Sequence, residues 1–184
     1  MLATLLAVLN PGDEVIIFEP FYENYGPGLH HRPGPSPSMC RSSRRTSASI
    51  PTGCARAVIA AHPGHHLQQP EQSHGQGLLA GRAPDRSPTC AIEHDLLAIT
   101  DEIYEHILYD GASHTPIATL PGMADRTITI SGISKSYSVT GWRVGYAVAS
   151  PELSLGIRRA HDFITVGAPH PLQEAAVTAL EPAR

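Results

Sequence analysis

The segment SGISKSYSVTGWR, residues 131–143, follows a short apolar run and contains Lys135, the only lysine in the chain. Small hydroxyl residues flank this amine, and an arginine follows it eight residues later. An amine can bond covalently to an aldehyde, while hydroxyls and a planar guanidinium hold a phosphate dianion. The segment therefore predicts a loop in which a reactive lysine and a phosphate site lie side by side.

Apolar strands and helices alternate on both sides of this loop. We predict strands at residues 14–18, 96–100, 127–130 and 145–149, and helices at about 1–9, 152–162 and 170–180. Strands that are apolar throughout and alternate with helices are typical of a mostly parallel sheet covered on both faces. The pattern therefore predicts an α/β fold.

A second polar group follows the predicted strand 96–100. Asp101 and Tyr104 lie just past its carboxyl end, where open α/β sheets bind their ligands. A carboxylate there can pair with a protonated ring nitrogen of a cofactor. Taken alone, the same residues fit a helix-capping aspartate and a half-buried core tyrosine at least as well.

The overall composition argues against several classes of partner. The formal net charge is −4 over 184 residues, which does not favour nucleic acid or an acidic membrane. No apolar run reaches the ~20 residues of a membrane span, and no secretory signal is recognisable, so we predict a cytoplasmic protein. The three cysteines have no CxxC spacing and suggest no disulfide framework.

Residues 29–90 differ in composition from the rest of the chain. They contain no Phe, Tyr or Trp, and seven arginines but only two acidic residues. Such a segment buries too little apolar surface to offset its ordering entropy, so we predict that it is disordered or non-native and forms no domain. Its histidines (His62, His65, His66, His74) lack a metal-ligand spacing, and its arginines (Arg41, Arg44, Arg45) lack interleaved aromatic residues. We therefore predict neither a metal site nor a nucleic-acid site there.

The segment also suggests a shifted reading frame. Residues 68–79 can be encoded so that dropping one base yields NNPNNPTGKVF, and neighbouring shifts yield apolar strands. We hypothesise several small insertions or deletions between codons 28 and 91.

Three stretches carry a family resemblance: NPGDEVIIFEPFYENY (10–25), DEIYEHILYDG (101–111) and SGISKSYSVTGWRVGY (131–146). They resemble class I/II aminotransferases of fold type I, the aspartate, aromatic and kynurenine aminotransferase-like group. Those enzymes depend on pyridoxal phosphate (PLP). The resemblance covers residues 1–28 and 91–184 and implies parts of the PLP-binding large domain.

The resemblance implies a role for each matching residue. Lys135 would hold PLP as a Schiff base and act as the catalytic lysine, and Asp101 would pair with the pyridine nitrogen. Tyr104 would contact the phenolic oxygen, and Tyr22 would stack on the ring. Ser134 and Arg143 would hold the phosphate, with Ser131 a weaker candidate.

The chain also departs from the family pattern. Gln72 stands at the codon position of an asparagine that contacts the phenolic oxygen in the family's NPTG loop. The glycine-rich phosphate turn and the C-terminal small domain, with its arginine for the substrate carboxylate, are not found in the sequence. We therefore expect a fragment of the large domain, from a protein roughly twice this length.

The resemblance implies transamination between an amino acid and a 2-oxo acid, in a homodimer. Two alternatives stay open: a PLP-dependent lyase on the same fold, and a non-catalytic remnant, since a fold alone does not determine the reaction.

The reading-frame hypothesis is tested by sequencing the coding DNA from codon 28 to codon 91. We expect missing or extra bases whose correction restores the NPTG loop. A sequence confirmed base for base would contradict the hypothesis and favour a decayed gene copy.

Overall fold

A computed structural model of the chain describes residues 1–10, 13–19, 22–25, 38–43, 55–61, 86–111 and 113–181. Within these ranges the α-helices are α1 (Leu2–Val8), α2 (Arg86–Glu93), α3 (Ile133–Ser136), α4 (Pro151–Ile164) and α5 (His170–Leu180). Short 3-10 helices lie at Ile117–Thr119, Ala124–Arg126 and Thr140–Trp142. None of the helices in the described ranges has both the length and the apolar character that a membrane crossing requires.

The described strands form one sheet. They are β1 (Glu14–Glu19), β2 (Ser38–Ser43), β3 (Ala55–Ala61), β4 (Leu97–Asp101), β5 (Thr127–Gly132) and β6 (Gly145–Val148), in the order β2-β1-β3-β4-β5-β6. Every neighbouring pair is parallel except β5 with β6, which is antiparallel. The carboxyl ends of β1 to β5 therefore share one edge of the sheet.

Side chains of successive strand residues pack on opposite faces of this sheet, as the period of two in a strand requires. Val15 and Ile17 pack against α1 in one core cluster, whereas Ile16 belongs to a second cluster with Met123. The first cluster also contains Leu5 from α1, which is fully buried. Both faces are therefore covered, as expected for a mostly parallel sheet.

The predicted elements outside residues 29–90 are confirmed. Each of the four predicted strands and three predicted helices is present, with ends within two residues of the expected positions. Helix α4 begins with Pro151 at its first position, where the missing amide hydrogen costs nothing and the fixed φ suits a helix. The α/β class is likewise confirmed.

Residues 29–90, which we predict to be disordered or non-native, contain β2, β3 and the start of α2 in the structure. β3 lies between β1 and β4, and its sequence ARAVIAA is an apolar run. The average composition of the segment conceals this short run. β2, of sequence SMCRSS, pairs only with β1 among the described strands, and polar residues are common in such edge positions. Gln72 and the four histidines at 62, 65, 66 and 74 lie outside the described residues.

Gly132 marks the point where β5 passes into the lysine helix α3. A Cβ atom placed there would lie 2.9 Å from the carbonyl oxygen of Val144 and 3.0 Å from the Cα of Gly145. Backbone atoms cannot move aside as a flexible side chain can, so a side chain does not fit without displacing β6. The absence of a side chain at Gly132 thus allows β6 to pack beside the start of α3.

Two glycine substitutions test this close packing. We expect Gly132→Ala to lower the free energy of unfolding by about 1–3 kcal/mol, because it forces strand backbones apart. Gly156→Ala is the matched control: its Cβ would meet Ala7 at an ordinary 3.7 Å. In the interior of α4 we expect this change to raise stability by up to ~1 kcal/mol. Urea unfolding of both variants measures the difference, and equal effects would contradict the packing argument.

Candidate active site

Asp101 ends β4 at the carboxyl edge of the sheet, and its side chain is held from two directions. The hydroxyl of Tyr25 donates to Oδ2 at 2.8 Å, and the amide of Ile103 donates to Oδ1 at 3.4 Å. Tyr25 is only 1% exposed, so this hydrogen bond is shielded from water. Burial, and then the nearby Asp101 carboxylate, raise the pKa of Tyr25 well above its usual range. The tyrosine therefore keeps its proton and holds the Asp101 carboxyl group in place by donating a hydrogen bond to it.

Tyr104 and Lys135 meet a few residues beyond the ends of β4 and β5. The Nζ atom of Lys135 lies 5.9 Å from the centroid of the Tyr104 ring, within the range of a cation–π attraction. Both side chains are half-buried. Because Asp101 directly precedes the turn that carries Tyr104, the structure brings together three residues that the sequence predicts for one site.

Ser134 and Arg143 are linked through a residue that the sequence analysis did not single out. Thr140 Oγ1 donates to the carbonyl of Ser134 at 3.0 Å, and Arg143 Nη1 donates to the carbonyl of Thr140 at 3.0 Å. Arg143 is exposed and has a φ of 57°, and Ser138 in the same loop has a φ of 56°. Left-handed backbone costs a residue with a side chain about 1–2 kcal/mol, so this loop is strained.

Ser131 has a partner that bears on its predicted role. Its hydroxyl lies 2.6 Å from Oε1 of Glu105 and 3.3 Å from the carbonyl oxygen of Glu102, and the residue is 4% exposed. A serine hydroxyl has one proton, and here the short bond to Glu105 takes it. Phosphate binding by Ser131 stays a prediction, and the geometry makes it the weakest of the set.

Tyr22 lies on the turn that follows β1, beside Tyr25. The two rings meet edge to face with centroids 5.7 Å apart, and Asn24 donates to the Tyr22 hydroxyl at 2.8 Å. The Tyr22 side chain is 42% exposed. An exposed ring next to the buried partner of Asp101 is compatible with stacking on a ligand, and that role stays a prediction.

Glu102, Glu105 and His114 form a compact polar cluster whose possible ligand atoms lie within 4.8 Å of one another. His114 Nε2 is 2.7 Å from a carboxylate oxygen of Glu102, which is 2% exposed. That distance is a hydrogen-bond length, whereas two ligands of one metal ion in tetrahedral geometry lie roughly 3.3 Å apart. We therefore interpret the contact as a buried histidine–carboxylate pair that ties the loop after Gly111 to the turn after β4.

Comparison with known proteins decides the family. Residues 80–184 match the family model described as aminotransferase class I and II. The chain belongs to the class I and II aminotransferases.

Two curated aminotransferases illustrate the sequence similarity. The probable N-succinyldiaminopimelate aminotransferase DapC of Mycobacterium tuberculosis is 33% identical over 188 residues, covering 97% of this chain and 45% of that protein. The arginine–pyruvate transaminase AruH of Pseudomonas aeruginosa is 36% identical, with coverages of 97% and 45%. The aminotransferase chain thus spans about half the length of the curated relatives that it matches.

Solved structures show the same fold. The M. tuberculosis N-succinyldiaminopimelate aminotransferase superposes with a TM-score of 0.78 at 30% identity, covering 97% of this chain and 47% of its own. An aromatic aminotransferase from Pyrococcus horikoshii gives a TM-score of 0.78 at 30% identity, covering 100% and 49%. The fold is therefore that of the fold-type I aminotransferases, as the resemblance implied.

The sequence alone did not point to several residues at the candidate site. Tyr25 had a signal, because it follows Tyr22 by three residues, a spacing that returns to the same side of a helical turn. Thr140 lies inside the loop between Lys135 and Arg143 and could have been suspected from its place. Glu105 and Tyr146 had no such signal, since their contact depends on the pairing of β5 with β6.

The Tyr25–Asp101 bond predicts a pH dependence of stability. The folded-state pKa of Tyr25 is raised, so its contribution is fully present below the unfolded value near 10 and is lost as pH rises above it. The unfolded chain then releases a proton that the folded chain retains. Above pH 10 we expect the free energy of unfolding of the unaltered protein to fall as pH rises. We expect the slope to be steeper than that of the Tyr25→Phe variant by about 1.4 kcal/mol per pH unit.

Urea unfolding at several pH values between 8 and 11 measures this difference. Tyr109→Phe, which removes an exposed hydroxyl, is the matched control and is expected to follow the unaltered protein. Parallel stability curves for the unaltered protein and Tyr25→Phe would contradict the assignment of Tyr25 as a buried, protonated partner.

Proposed function

We propose that this chain carries the PLP site of an enzyme that moves an amino group between an amino acid and a 2-oxo acid. The observation that carries the proposal is the position of the only lysine: its amine faces Tyr104, next to the strand end that holds Asp101. Membership of the aminotransferase family supports the same reaction class. The family is generally PLP-dependent.

The donor set fits this cofactor chemically. An amine suits its aldehyde, a carboxylate suits its pyridine nitrogen, and hydroxyls with a guanidinium suit its phosphate dianion. The hydroxyl of Ser136, next to Lys135, is buried and has no hydrogen-bond partner among the described residues. That hydroxyl is a further donor available to an anion at this end of the sheet.

Each side chain would have a distinct task. PLP, when bound, supplies an electron sink for a carbanion at the substrate's α-carbon. Lys135 Nζ would attach the cofactor and then move a proton at that α-carbon. Asp101, fixed by Tyr25, would keep the pyridine nitrogen protonated by pairing with its N–H.

The remaining predicted residues would bind rather than transfer protons. Ser134 and Arg143, which Thr140 connects, would hold the phosphate, and Tyr104 would donate to the phenolic oxygen. Tyr22 would cover one face of the ring. Ser131 would act mainly through its bond to Glu105.

The substrates are proposed only as classes. The similar proteins are named for different amino acids, among them N-succinyldiaminopimelate, arginine with pyruvate, and aspartate. The feature that these names share is the transfer of an amino group from an amino acid, and the arginine–pyruvate name also gives a 2-oxo acid. We propose that the enzyme acts as a homodimer, as the family resemblance implies, and a cytoplasmic location remains a prediction.

Reduction with borohydride tests the proposal directly. The protein is incubated with PLP, reduced and digested, and we expect the pyridoxyl label on the peptide that contains Lys135. Lys135→Arg keeps the positive charge but offers no amine for the aldehyde, so we expect the label to be lost. Absence of label in the unaltered chain would overturn the proposal and favour a non-catalytic remnant.

The product separates transamination from the lyase alternative. With an amino acid added, a transaminase converts the cofactor to its pyridoxamine form, which absorbs at shorter wavelength. A lyase releases ammonia or pyruvate and regenerates the aldehyde. We expect the pyridoxamine form to accumulate.

A further inference from the structure

The turn that follows β4 carries two carboxylates, Glu102 and Glu105, that the proposed chemistry does not use. We propose that Glu105 is a positioning residue: through Ser131 and Tyr146 it holds the turn so that the Tyr104 ring faces the Lys135 amine. This role concerns the arrangement of Tyr104 and Lys135 in the chain without cofactor, and its consequence for catalysis rests on the proposed function.

Glu105 accepts hydrogen bonds from both strands that lead to and from the lysine loop. Ser131 Oγ donates to Glu105 Oε1 at 2.6 Å, and Tyr146 Oη donates to the same oxygen at 3.2 Å. Ser131 and Tyr146 are directly paired across the antiparallel β5–β6 ladder, so their side chains project on one face. One carboxylate oxygen therefore clamps the two strands together with the turn.

The Tyr146 hydroxyl acts as a hydrogen-bond donor to Glu105. Burial raises the pKa of Tyr146, so its hydroxyl retains its proton and donates. His106 also approaches Glu105, at 3.9 Å, but its side chain is 60% exposed. A charge pair at that distance and exposure contributes little. The Glu105 side chain lies in the cluster with Glu102 and His114, and the hydroxyls of Ser131 and Tyr146 are its described hydrogen-bond donors.

A backbone bond fixes the other end of the same turn. The amide of Glu102 donates to the carbonyl of Ile130 at 2.8 Å, and the amide of Glu105 donates to the carbonyl of Glu102 at 2.9 Å. The turn is thus attached to β5 at its start by backbone and at its end by the Glu105 side chain. Tyr104 lies between these two attachments.

The position of Lys135 is set by the same strand, β5. Lys135 follows Ser131 by four residues, and the intervening Gly132 packs against the backbone of β6 with no room for a Cβ. The turn that carries Tyr104 is bonded to β5, and Lys135 follows β5 directly. The 5.9 Å separation of the ring centroid and the amine therefore depends on this strand. Loss of the Glu105 hydrogen bonds would therefore allow the Tyr104 ring to move, while Lys135 would keep its position.

The single lysine makes the geometry measurable without cofactor. Reductive methylation with ¹³C-formaldehyde gives one lysine side-chain signal, distinct from that of the terminal amine. The Tyr104 ring current displaces this methyl resonance, and Tyr104→Leu gives its position with no ring. We expect Glu105→Ala to move the resonance most of the way to the Tyr104→Leu position, with smaller shifts for Tyr146→Phe and Ser131→Ala.

Glu152→Ala is the matched control, because Glu152 is an exposed glutamate in the first turn of α4. We expect it to leave the resonance unchanged. A Glu105→Ala signal that stays at the original position while the free energy of unfolding falls would overturn the proposal and leave Glu105 a purely structural role. If Glu105→Ala does not fold, unchanged signals in both Tyr146→Phe and Ser131→Ala overturn it.

The proposed function can fail separately. No borohydride label at Lys135 would overturn PLP binding, whereas the methyl resonance reports the Tyr104–Lys135 geometry in the absence of PLP.

Discussion

The parallel pairing of β4 with β5 determines where the polar side chains of the site lie. Asp101 pairs with Ile130, so the two strands end within a few residues of each other at one edge of the sheet. The turn after β4 and the helix after β5 then emerge side by side. The approach of Tyr104 to Lys135 follows from this register, because a slip of one residue would turn Asp101 to the opposite face.

Hydrogen bonds fix the site on two sides of that register. On the side of β1, Tyr25 donates to Asp101, which lies 76 positions later in the sequence. On the side of β6, Tyr146 and Ser131 reach Glu105. Each tyrosine donates to a carboxylate, Tyr25 from a buried position and Tyr146 from a half-buried one. The site is thus supported by donors from three parts of the chain: the turn after β1, strand β5 and strand β6.

The sequence could predict four of the six described strands, because each is a short apolar run next to turn residues. It could also predict that Asp101 and Lys135 share one sheet edge. It could not predict Glu105 as a partner, since a glutamate in a loop looks the same in sequence whether it is buried or exposed. The spacing of Tyr25 from Tyr22 indicated a shared side of one turn but not the bond to Asp101. It also missed β2 and β3, because the composition of residues 29–90 was judged as an average. The strand direction of β6 depends on the length and path of the lysine loop, which composition does not encode.

Arg143 places a guanidinium on a backbone conformation that glycine adopts without strain. With the phosphate role proposed for Arg143, stability and anion binding favour different residues at this position during evolution. A lineage that no longer binds an anion there gains about a kilocalorie per mole from glycine, whereas a lineage that still binds one retains the strained arginine. The type of residue at position 143 therefore indicates whether selection has favoured anion binding or stability in this loop.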